Sequence, residues 1–149
     1  MISKLEKKVL INIDGGSRNN PGPAALGVVF LNEKGRVIKD YFQFLGKATN
    51  NEAEYQAFIF ALRKAKLLFG RERIKNLDIE LRSDSSLLVN QLKGEYKVKE
   101  ENIKKLFLEA WNLKIDFKNL KIILIPREEN KAADRLVNQA LDSQPQKLI

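Results

Sequence analysis

The order of strands and helices that the sequence predicts constrains this chain more than any other feature. Alternating polarity over 9–14 and apolar runs over 24–32 and 36–45 predict three strands, the first of them ending at Gly15–Gly16. The turn-like segment 32–35 joins the second strand to the third. We therefore expect the chain to open with an antiparallel meander.

The rest of the chain interleaves helices with strands. Thr49 begins a capping box with Glu52, and an apolar stripe of helical period follows it as far as Gly70. The later elements are two strands and three helices, predicted over 77–83, 119–126, 85–93, 99–114 and 129–142. Such interleaving requires right-handed crossovers and some parallel pairing. The predicted order is βββαβααβα, an α/β fold with a five-stranded mixed sheet flanked by helices.

Size and composition set the domain organisation. At 149 residues and 44% hydrophobic content, the chain has the size of one domain, 1–149, with a core over about 8–141. The tail 143–149 either frays or docks through Leu148 and Ile149, and chain ends favour fraying. Because no run of 18 apolar residues and no signal-peptide pattern occurs, we expect no membrane span and a cytoplasmic location. We also expect a monomer.

The sequence contains no cysteine and no histidine. Disulfides, thiolate or imidazole metal sites and cysteine nucleophiles are therefore excluded, and the usual general base is absent. Lys and Arg number 27 against 19 Asp and Glu, which gives a formal net charge of +8. A nucleic-acid partner fits this charge, because neutralised phosphates release counterions, although lysines that only keep the protein soluble would give the same balance.

Four carboxylates lie on four different segments, each where a predicted strand ends or a predicted helix begins. They are Asp14, Glu54, Asp84 and Asp134. One domain could bring all four to the same end of a sheet. Two of them have simple structural alternatives: Asp14 fits turn chemistry with the glycines after it, and Asp84 could cap the helix that begins at Ser85.

The other two acids conflict with apolar helix faces. Glu54 lies in the first turn of the long helix, on the face expected to be buried, whereas the capping-box residue Glu52 suits compensation of the helix dipole better. Asp134 lies on the flank of the last apolar face, and Ala132 and Ala133 would let that helix approach a partner closely. We expect Asp134 to be partly buried, where it needs a cation or hydrogen bonds to remain charged.

The joint pattern of acids predicts a metal site. Carboxylates brought together raise each other's pKa unless cations lie between them. Mg²⁺ or Mn²⁺ fits, because hard cations take oxygen ligands. Two such ions about 3.5 to 4 Å apart would activate a water and stabilise the leaving oxygen of a phosphodiester without histidine.

The sequence around these acids resembles type 1 ribonuclease H, nucleases that cut the RNA strand of an RNA/DNA hybrid. The matching segments are D-G-G-S-R-N-N-P-G-P from Asp14, T-N-N-E-A-E-Y from Thr49, S-D-S-S from Ser83, and Ala133–Asp134. The likeness covers about 8–141, and the predicted element order is that of the family. The segment 92–106 lacks the basic handle of the familiar bacterial enzyme. In this respect the chain resembles a handle-free, archaeal-like branch of the family.

The resemblance implies a ribonuclease H-like fold and a metal set made of the four acids. Asp14 and Asp84 would be the central ligands, with Asp14 bridging two Mg²⁺ or Mn²⁺ ions. Glu54 would serve the ion that also meets the substrate. Asp134 would serve the ion on the nucleophile side.

The resemblance also implies substrate contacts. Asn20 would lie near the RNA 2′-hydroxyls that distinguish RNA from DNA. Thr49 and Asn50 would hold a DNA-strand phosphate at the start of their helix, where free backbone N–H groups favour anions. Gly15 and Ser86 would also lie against the substrate.

The sequence departs from the family pattern in its last loop and on its basic surface. Arg127 stands nearest to where many members carry a mobile His, and it could contact a phosphate but is unsuited to accept a proton. Ser86 stands where several relatives have Gln, which would weaken one minor-groove contact. In place of the missing handle, a group of lysines would contact the nucleic-acid backbone, or these lysines only face solvent. They are Lys93, Lys97, Lys99, Lys104 and Lys105.

We therefore expect an endoribonuclease that hydrolyses the RNA strand of RNA/DNA hybrids and leaves 5′-phosphate and 3′-hydroxyl ends. Double-stranded RNA is a second substrate that the archaeal-like resemblance implies. The alternatives are another ribonuclease H-like nuclease, such as a junction resolvase or 3′ exonuclease, and a non-catalytic hybrid-binding or protein-interaction module.

Overall fold

In a computed structural model, which describes residues 7–144, five strands form one mixed sheet in the order β3-β2-β1-β4-β5. The strands β1 to β5 are Lys8–Ser17, Gly22–Asn32, Val37–Ala48, Asp78–Ser83 and Asn119–Leu124. The helices α1 to α5 in the same part of the chain are Asn50–Phe69, Arg71–Ile74, Ser86–Leu92, Glu101–Ile115 and Lys131–Asp142. A 3-10 turn, Arg127–Glu129, precedes α5.

The predicted α/β fold and its element order are confirmed, with one addition. The four-residue helix α2 follows α1 directly, and its sequence is too short to show a helical period. Gly70 separates the two helices with φ +83°, a conformation that favours glycine. The single-domain boundaries stay a prediction, and the alternatives for Leu148 and Ile149 lie outside the described residues.

Strand β1 is central and runs farther than expected. It pairs with β4 in parallel as far as Ile13 opposite Ser83, but it continues antiparallel to β2 until Ser17 lies opposite Ala24. The prediction that it ends at Gly15–Gly16 was wrong, because both glycines keep their ladder with β2. Beyond Ile13 and Ser83, β1 and β4 therefore diverge, and the next residue of each strand borders the opening between them.

The two faces of the sheet are covered by different helices. Residues of α1, α3 and α4 join the large core cluster on one face, and α5 packs on the other face against Ala25. Gly27 allows that second contact, since a Cβ there would lie 2.4 Å from the carbonyl oxygen of Ala133. Ala133 is buried as expected for a close approach, whereas Ala132 is exposed and takes no part in it.

The start of α1 follows the predicted capping box. Thr49 Oγ1 accepts from the backbone N–H of Glu52 at 3.1 Å, and the Glu52 carboxylate accepts from the Thr49 N–H at 2.9 Å. The Thr49 N–H holds the pKa of Glu52 below its usual value. Across 7–144, no helix is both long and apolar enough to span a membrane.

Candidate active site

Two of the four predicted acids lie side by side at the opening between β1 and β4. Asp14 follows Ile13 on β1, and Asp84 follows Ser83, its parallel partner on β4. The structural alternatives for both are ruled out. Asp14 lies inside a continuing strand rather than a turn, and the N-cap of α3 is Ser85, which accepts from the Leu88 N–H at 3.1 Å.

Glu54 reaches the same place because α1 approaches β1 very closely. A Cβ on Gly15 would lie 2.3 Å from the backbone of Ala53 and 2.6 Å from the nitrogen of Glu54. Only glycine fits here, so the residue after Asp14 allows the first turn of α1 to lie on the strand. One carboxylate oxygen from each of Asp14, Glu54 and Asp84 lies within 4.8 Å of the others.

The electrostatic strain of this acidic cluster appears in its pKa values. Burial, followed by the charges of Asp84 and Asp134, raises the pKa of Asp14 to about 8. Burial and the charges of Asp14 and Asp84 raise the pKa of Glu54 well above its usual value. A backbone hydrogen bond from Gly15 opposes both shifts and only partly offsets them.

The donor chemistry of the cluster fits a divalent cation. Glu54 Oε2 is buried and has no hydrogen-bond partner within residues 7–144. An unpaired carboxylate oxygen among like charges is unfavourable unless a positive charge meets it. Three carboxylates with hard oxygen donors are the ligand type of Mg²⁺ and Mn²⁺. The acidic cluster is thus compatible with a divalent metal.

The fourth acid takes a different position from the one expected. Asp134 is exposed rather than partly buried, because it lies in the first turn of α5 and lines the open cleft instead of the contact between α5 and the sheet. It is outside the group of three closely spaced oxygens, yet a side-chain hydrogen bond and its charge both act on Asp14. Asn138 Nδ2 donates to the Asp134 carbonyl oxygen at 3.2 Å. Asp134 therefore stands at the rim of the site.

An open cleft of about 370 Å³ surrounds the acids. Arg127 lines the cleft and is exposed, and its positive charge lowers the pKa of Glu54 against the larger raising effects. A guanidinium in this place can contact a phosphate but has no proton-accepting atom. Gly15, Asn50 and Asp134 also line the cleft.

The residues predicted to touch the substrate form an interlocked corner at the start of α1. Asn20 Oδ1 accepts from the backbone N–H of Asn50 at 2.9 Å, and Asn50 Oδ1 accepts from the N–H of Ser17 at 2.8 Å. The expectation of free backbone N–H groups was therefore wrong for Asn50, whose N–H is taken by Asn20, whereas the N–H of Glu52 is taken by Thr49 as the predicted capping box requires. An anion here would depend more on side chains.

Ser86 lies away from that corner, exposed at the start of α3. Asn90 Nδ2 donates to its Oγ at 3.1 Å and to its carbonyl oxygen at 2.8 Å. The short hydroxyl is thus held against its own helix. Ser86 is absent from the lining of the acidic cleft, so the structure does not bring it together with the four acids.

Two residues near the acids were not singled out from the sequence. Asn130, just before α5, is fully buried and donates toward Asp84, and Asn138 lines the cleft beside Asp134. The predicted helix over 129–142 included Asn130, whereas the structure begins α5 at Lys131 and places Asn130 at the N-cap position. Asn138 lies one turn after Asp134, and that i,i+4 spacing could have indicated it.

Comparison with known proteins supplies the context for this site. The Reverse transcriptase-like family pattern matches residues 12–140. The crystal structure of LC11-RNase H1 in complex with an RNA/DNA hybrid is 43% identical, with a TM-score of 0.85 over 90% of this chain and 96% of that one. RNase H1 from Halobacterium salinarum is 39% identical, with a TM-score of 0.83 over 92% of this chain and 99% of that one.

The chain belongs to the ribonuclease H1 family. Among curated relatives, Ribonuclease HI of Halobacterium salinarum is 41% identical over 129 residues, which is 87% of this chain and 62% of the relative. Bifunctional protein Rv2228c of Mycobacterium tuberculosis is 40% identical over 140 residues, or 93% of this chain. This ribonuclease H1 domain spans only 37% of that longer protein.

Proposed function

We propose that this protein is a metal-dependent endoribonuclease that hydrolyses the RNA strand of RNA/DNA hybrids and leaves 5′-phosphate and 3′-hydroxyl ends. The observation that carries the proposal is the cluster of Asp14, Glu54 and Asp84, whose oxygens crowd within 4.8 Å at the end of the sheet. The similarity of the chain to LC11-RNase H1, whose crystal structure contains an RNA/DNA hybrid, supports the substrate class.

Asp14, Glu54, Asp84 and Asp134 would hold two Mg²⁺ or Mn²⁺ ions. Bound there, such ions supply the positive charge that activates a water and stabilises the leaving oxygen of a phosphodiester. Asp14 interacts electrostatically with each of the other three acids, since Asp84 and Asp134 raise its pKa and its own charge raises the pKa of Glu54, which supports a role in holding both ions. Asp134 at the rim would complete the ligand set on the nucleophile side.

The remaining residues of the cleft would bind and orient the duplex. Arg127 would contact a backbone phosphate, because its guanidinium is exposed beside the acids. It would not replace a general base, since arginine does not deprotonate in proteins. Asn20, Thr49 and Asn50 would contact the two backbones at the start of α1. Gly15 would let the backbone of the site approach the substrate.

Double-stranded RNA is a second proposed substrate. The observation that favours it is Ser86, whose hydroxyl is bonded to Asn90 on its own helix and so reaches out little toward a minor groove. A weak contact at this point would discriminate poorly between a DNA and an RNA partner strand.

A monomeric state and a cytoplasmic location also stay predictions, to be checked by sedimentation and by fractionation of cells.

Cleavage of matched duplexes tests the proposal. Labelled RNA/DNA, RNA/RNA, DNA/DNA and single-stranded RNA are incubated with the protein and Mg²⁺, Mn²⁺ or EDTA, alongside Asp84→Asn. We expect metal-dependent loss of the RNA strand of the hybrid, slower loss of RNA/RNA, and neither with EDTA or with the variant. Binding of the hybrid without cleavage under any metal would contradict the proposal and favour the non-catalytic binding module.

A control variant separates loss of chemistry from loss of charge. Asp40 is an exposed carboxylate on β3, the edge strand farthest from β4 and β5 in the sheet order. Asp40→Asn makes the same chemical change as Asp84→Asn and should leave cleavage unaltered. Equal losses in the two variants would show that net charge, rather than the acidic cluster, governs activity.

A further inference from the structure

Asn130, the residue before α5, is fully buried and bridges the two strands that carry the acids. Its exposed fraction is 0%. Its Nδ2 donates to the carbonyl oxygen of Ile13 at 2.8 Å and to Asp84 Oδ2 at 3.4 Å. An amide nitrogen has two hydrogens, one for each of these acceptors. The side chain therefore ties β1 at Ile13, immediately before Asp14, to Asp84, the acid that follows β4.

The side chain of Asn130 does not do what asparagine usually does at the start of a helix. An N-cap asparagine accepts from the backbone of the first turn, but Asn130 occupies the N-cap position of α5 and makes no such bond. Its Oδ1 is instead buried with no partner among residues 7–144. A buried acceptor left unpaired disfavours folding, so helix capping and optimal stability do not explain this residue.

The backbone of Asn130 reaches a third acid. Its carbonyl oxygen accepts from the N–H of Asp134 at 3.1 Å and so fixes the first turn of α5. One residue thus contacts Asp84 directly, Asp134 through its backbone, and Asp14 through the carbonyl of the preceding Ile13.

The neutrality of the amide suits this position. A lysine or arginine beside Asp84 would hold the carboxylate more strongly, but its charge would compete with a bound cation. An amide donor fixes one oxygen of the carboxylate and leaves its negative charge in place. Such outer partners orient metal-binding carboxylates in proteins generally.

We propose that Asn130 is a positioning residue that sets the spacing between Asp84 and the Ile13–Asp14 segment of β1, and thereby the affinity of the acidic cluster for a divalent cation. The inference rests on the proposed function, because that function assigns the cluster to a cation. It adds a residue that would touch neither the cation nor the substrate.

Calorimetric titration with MnCl₂, without nucleic acid, tests the inference on the full chain. We expect Asn130→Ala to bind Mn²⁺ about 10 to 100 times more weakly than the unaltered protein, the range typical for outer partners of metal ligands. In hybrid cleavage, kcat at fixed Mn²⁺ should fall, while KM for the hybrid stays within about twofold, and added Mn²⁺ should restore part of the rate.

A control variant of reduced stability separates positioning from general loosening. Ile103 is buried in the large core cluster on α4, so Ile103→Ala should lower the melting temperature without altering Mn²⁺ affinity. If Asn130→Ala does not fold, Asn130→Leu keeps the branched shape without donors. On the unaltered protein, the side-chain amide NMR signals of Asn130 should shift on addition of Mg²⁺.

The outcomes distinguish this inference from the proposed function. Unchanged Mn²⁺ affinity in a folded Asn130 variant, or amide signals of Asn130 that ignore Mg²⁺ while those of neighbouring residues shift, would overturn the inference even if hybrid is cleaved. Weakened Mn²⁺ binding in the variant would support the inference even if the unaltered protein cleaves no hybrid. That absence of cleavage would contradict only the proposed function.

Discussion

Glu54 and Tyr55 are neighbours in the first turns of α1, yet the buried polar atom of one lacks a hydrogen-bond partner and that of the other has one. The Tyr55 hydroxyl donates to Gln91 Oε1 at 2.7 Å, and Gln91 Nε2 donates to the carbonyl oxygen of Lys97 at 3.1 Å. One residue earlier, Glu54 Oε2 is buried with no partner in the described part of the chain. The first network is complete within the protein, whereas the second requires something from outside.

This difference separates a polar group with a structural role, Tyr55, from one for which we propose a functional role, Glu54. The Tyr55–Gln91 pair ties α1 to α3 and to the loop before α4, and burial raises the pKa of the Tyr55 hydroxyl, which stays protonated. The acids around Glu54 repel one another and are pushed toward their protonated forms. Such repulsion in a folded chain points to a site whose function depends on it, and the proposed cation binding would account for it here.

The largest expected effect is at Asp14, on which the charges of Asp84 and Asp134 act and whose own charge acts on Glu54. Asp14→Asn should lower the rate of hybrid cleavage by roughly 10³-fold or more, about 4 kcal/mol of transition-state stabilisation at 1.36 kcal/mol per tenfold. The measurement is single-turnover cleavage at saturating Mg²⁺, with Asp40→Asn as the matched control. Retention of a tenth of the activity or more would show that the cluster is not the catalytic centre.

Glu54→Gln should reduce cleavage by roughly 10²-fold, a smaller loss because the other acids remain. In EDTA, however, the variant should melt at or above the temperature of the unaltered protein, because a neutral amide relieves the repulsion from Asp14 and Asp84. Calorimetry in EDTA measures this melting. A marked decrease in melting temperature would mean that Glu54 is structural, as Tyr55 is.

Tyr55→Phe is the converse test. It should destabilise the protein by about 1 to 3 kcal/mol, since Gln91 Oε1 is left buried without its donor, but cleavage well below the melting temperature should change less than about twofold. Urea unfolding and a cleavage assay measure the two effects. Tyr96→Phe, at an exposed tyrosine, should change neither. A large loss of activity in Tyr55→Phe would break the distinction between the two networks.

The last expected effect is a dependence of stability on pH, which is read from unfolding rather than from cleavage. The folded-state pKa values of Asp14 and Glu54 are raised, so the folded protein holds protons that the unfolded chain releases. Their contribution to stability is fully present below the unfolded pKa values and is lost as the pH rises toward about 8, the folded pKa of Asp14. The slope is at most about 1.4 kcal/mol per pH unit for each proton released.

Urea unfolding between pH 5 and pH 9 in EDTA checks this slope. Asp14→Asn should flatten it, and saturating Mn²⁺ should flatten it in the unaltered protein, because a bound cation replaces the protons. Absence of this slope would show that the two acids are ionised in the folded protein without a cation.

The four acids could be predicted from the sequence because two of them follow predicted strands and the other two conflict with the apolar faces of predicted helices. Glu54 on an inward face could be recognised, since the helical period of its neighbours is long and regular. The exposure of Asp134 could not be predicted, because the sequence does not indicate that the first turn of α5 borders an open cleft. Helix capping by Asp84 seemed reasonable until the structure placed Ser85 at the cap.

The strand ends were harder to place than the strands. Gly15–Gly16 reads as a turn, but pairing with β2 holds both residues in the ladder, and this tertiary contact outweighs local preference. Gly15 and Gly27 permit the close approach of α1 and α5, a role that depends on which helix lies above them. Asn130 escaped notice for a similar reason: its partners Ile13 and Asp84 are far from it in sequence.

The most direct test of the account is calorimetric titration of the unaltered protein with MnCl₂ at pH 7, in two buffers of different ionisation enthalpy. The pKa of Asp14 is about 8, and that of Glu54 is also raised. We therefore predict that Mn²⁺ binds with release of protons, and that Asp14→Asn loses both the binding and the proton release. Absence of binding, or binding of Mn²⁺ without proton release and unchanged in Asp14→Asn, would contradict it.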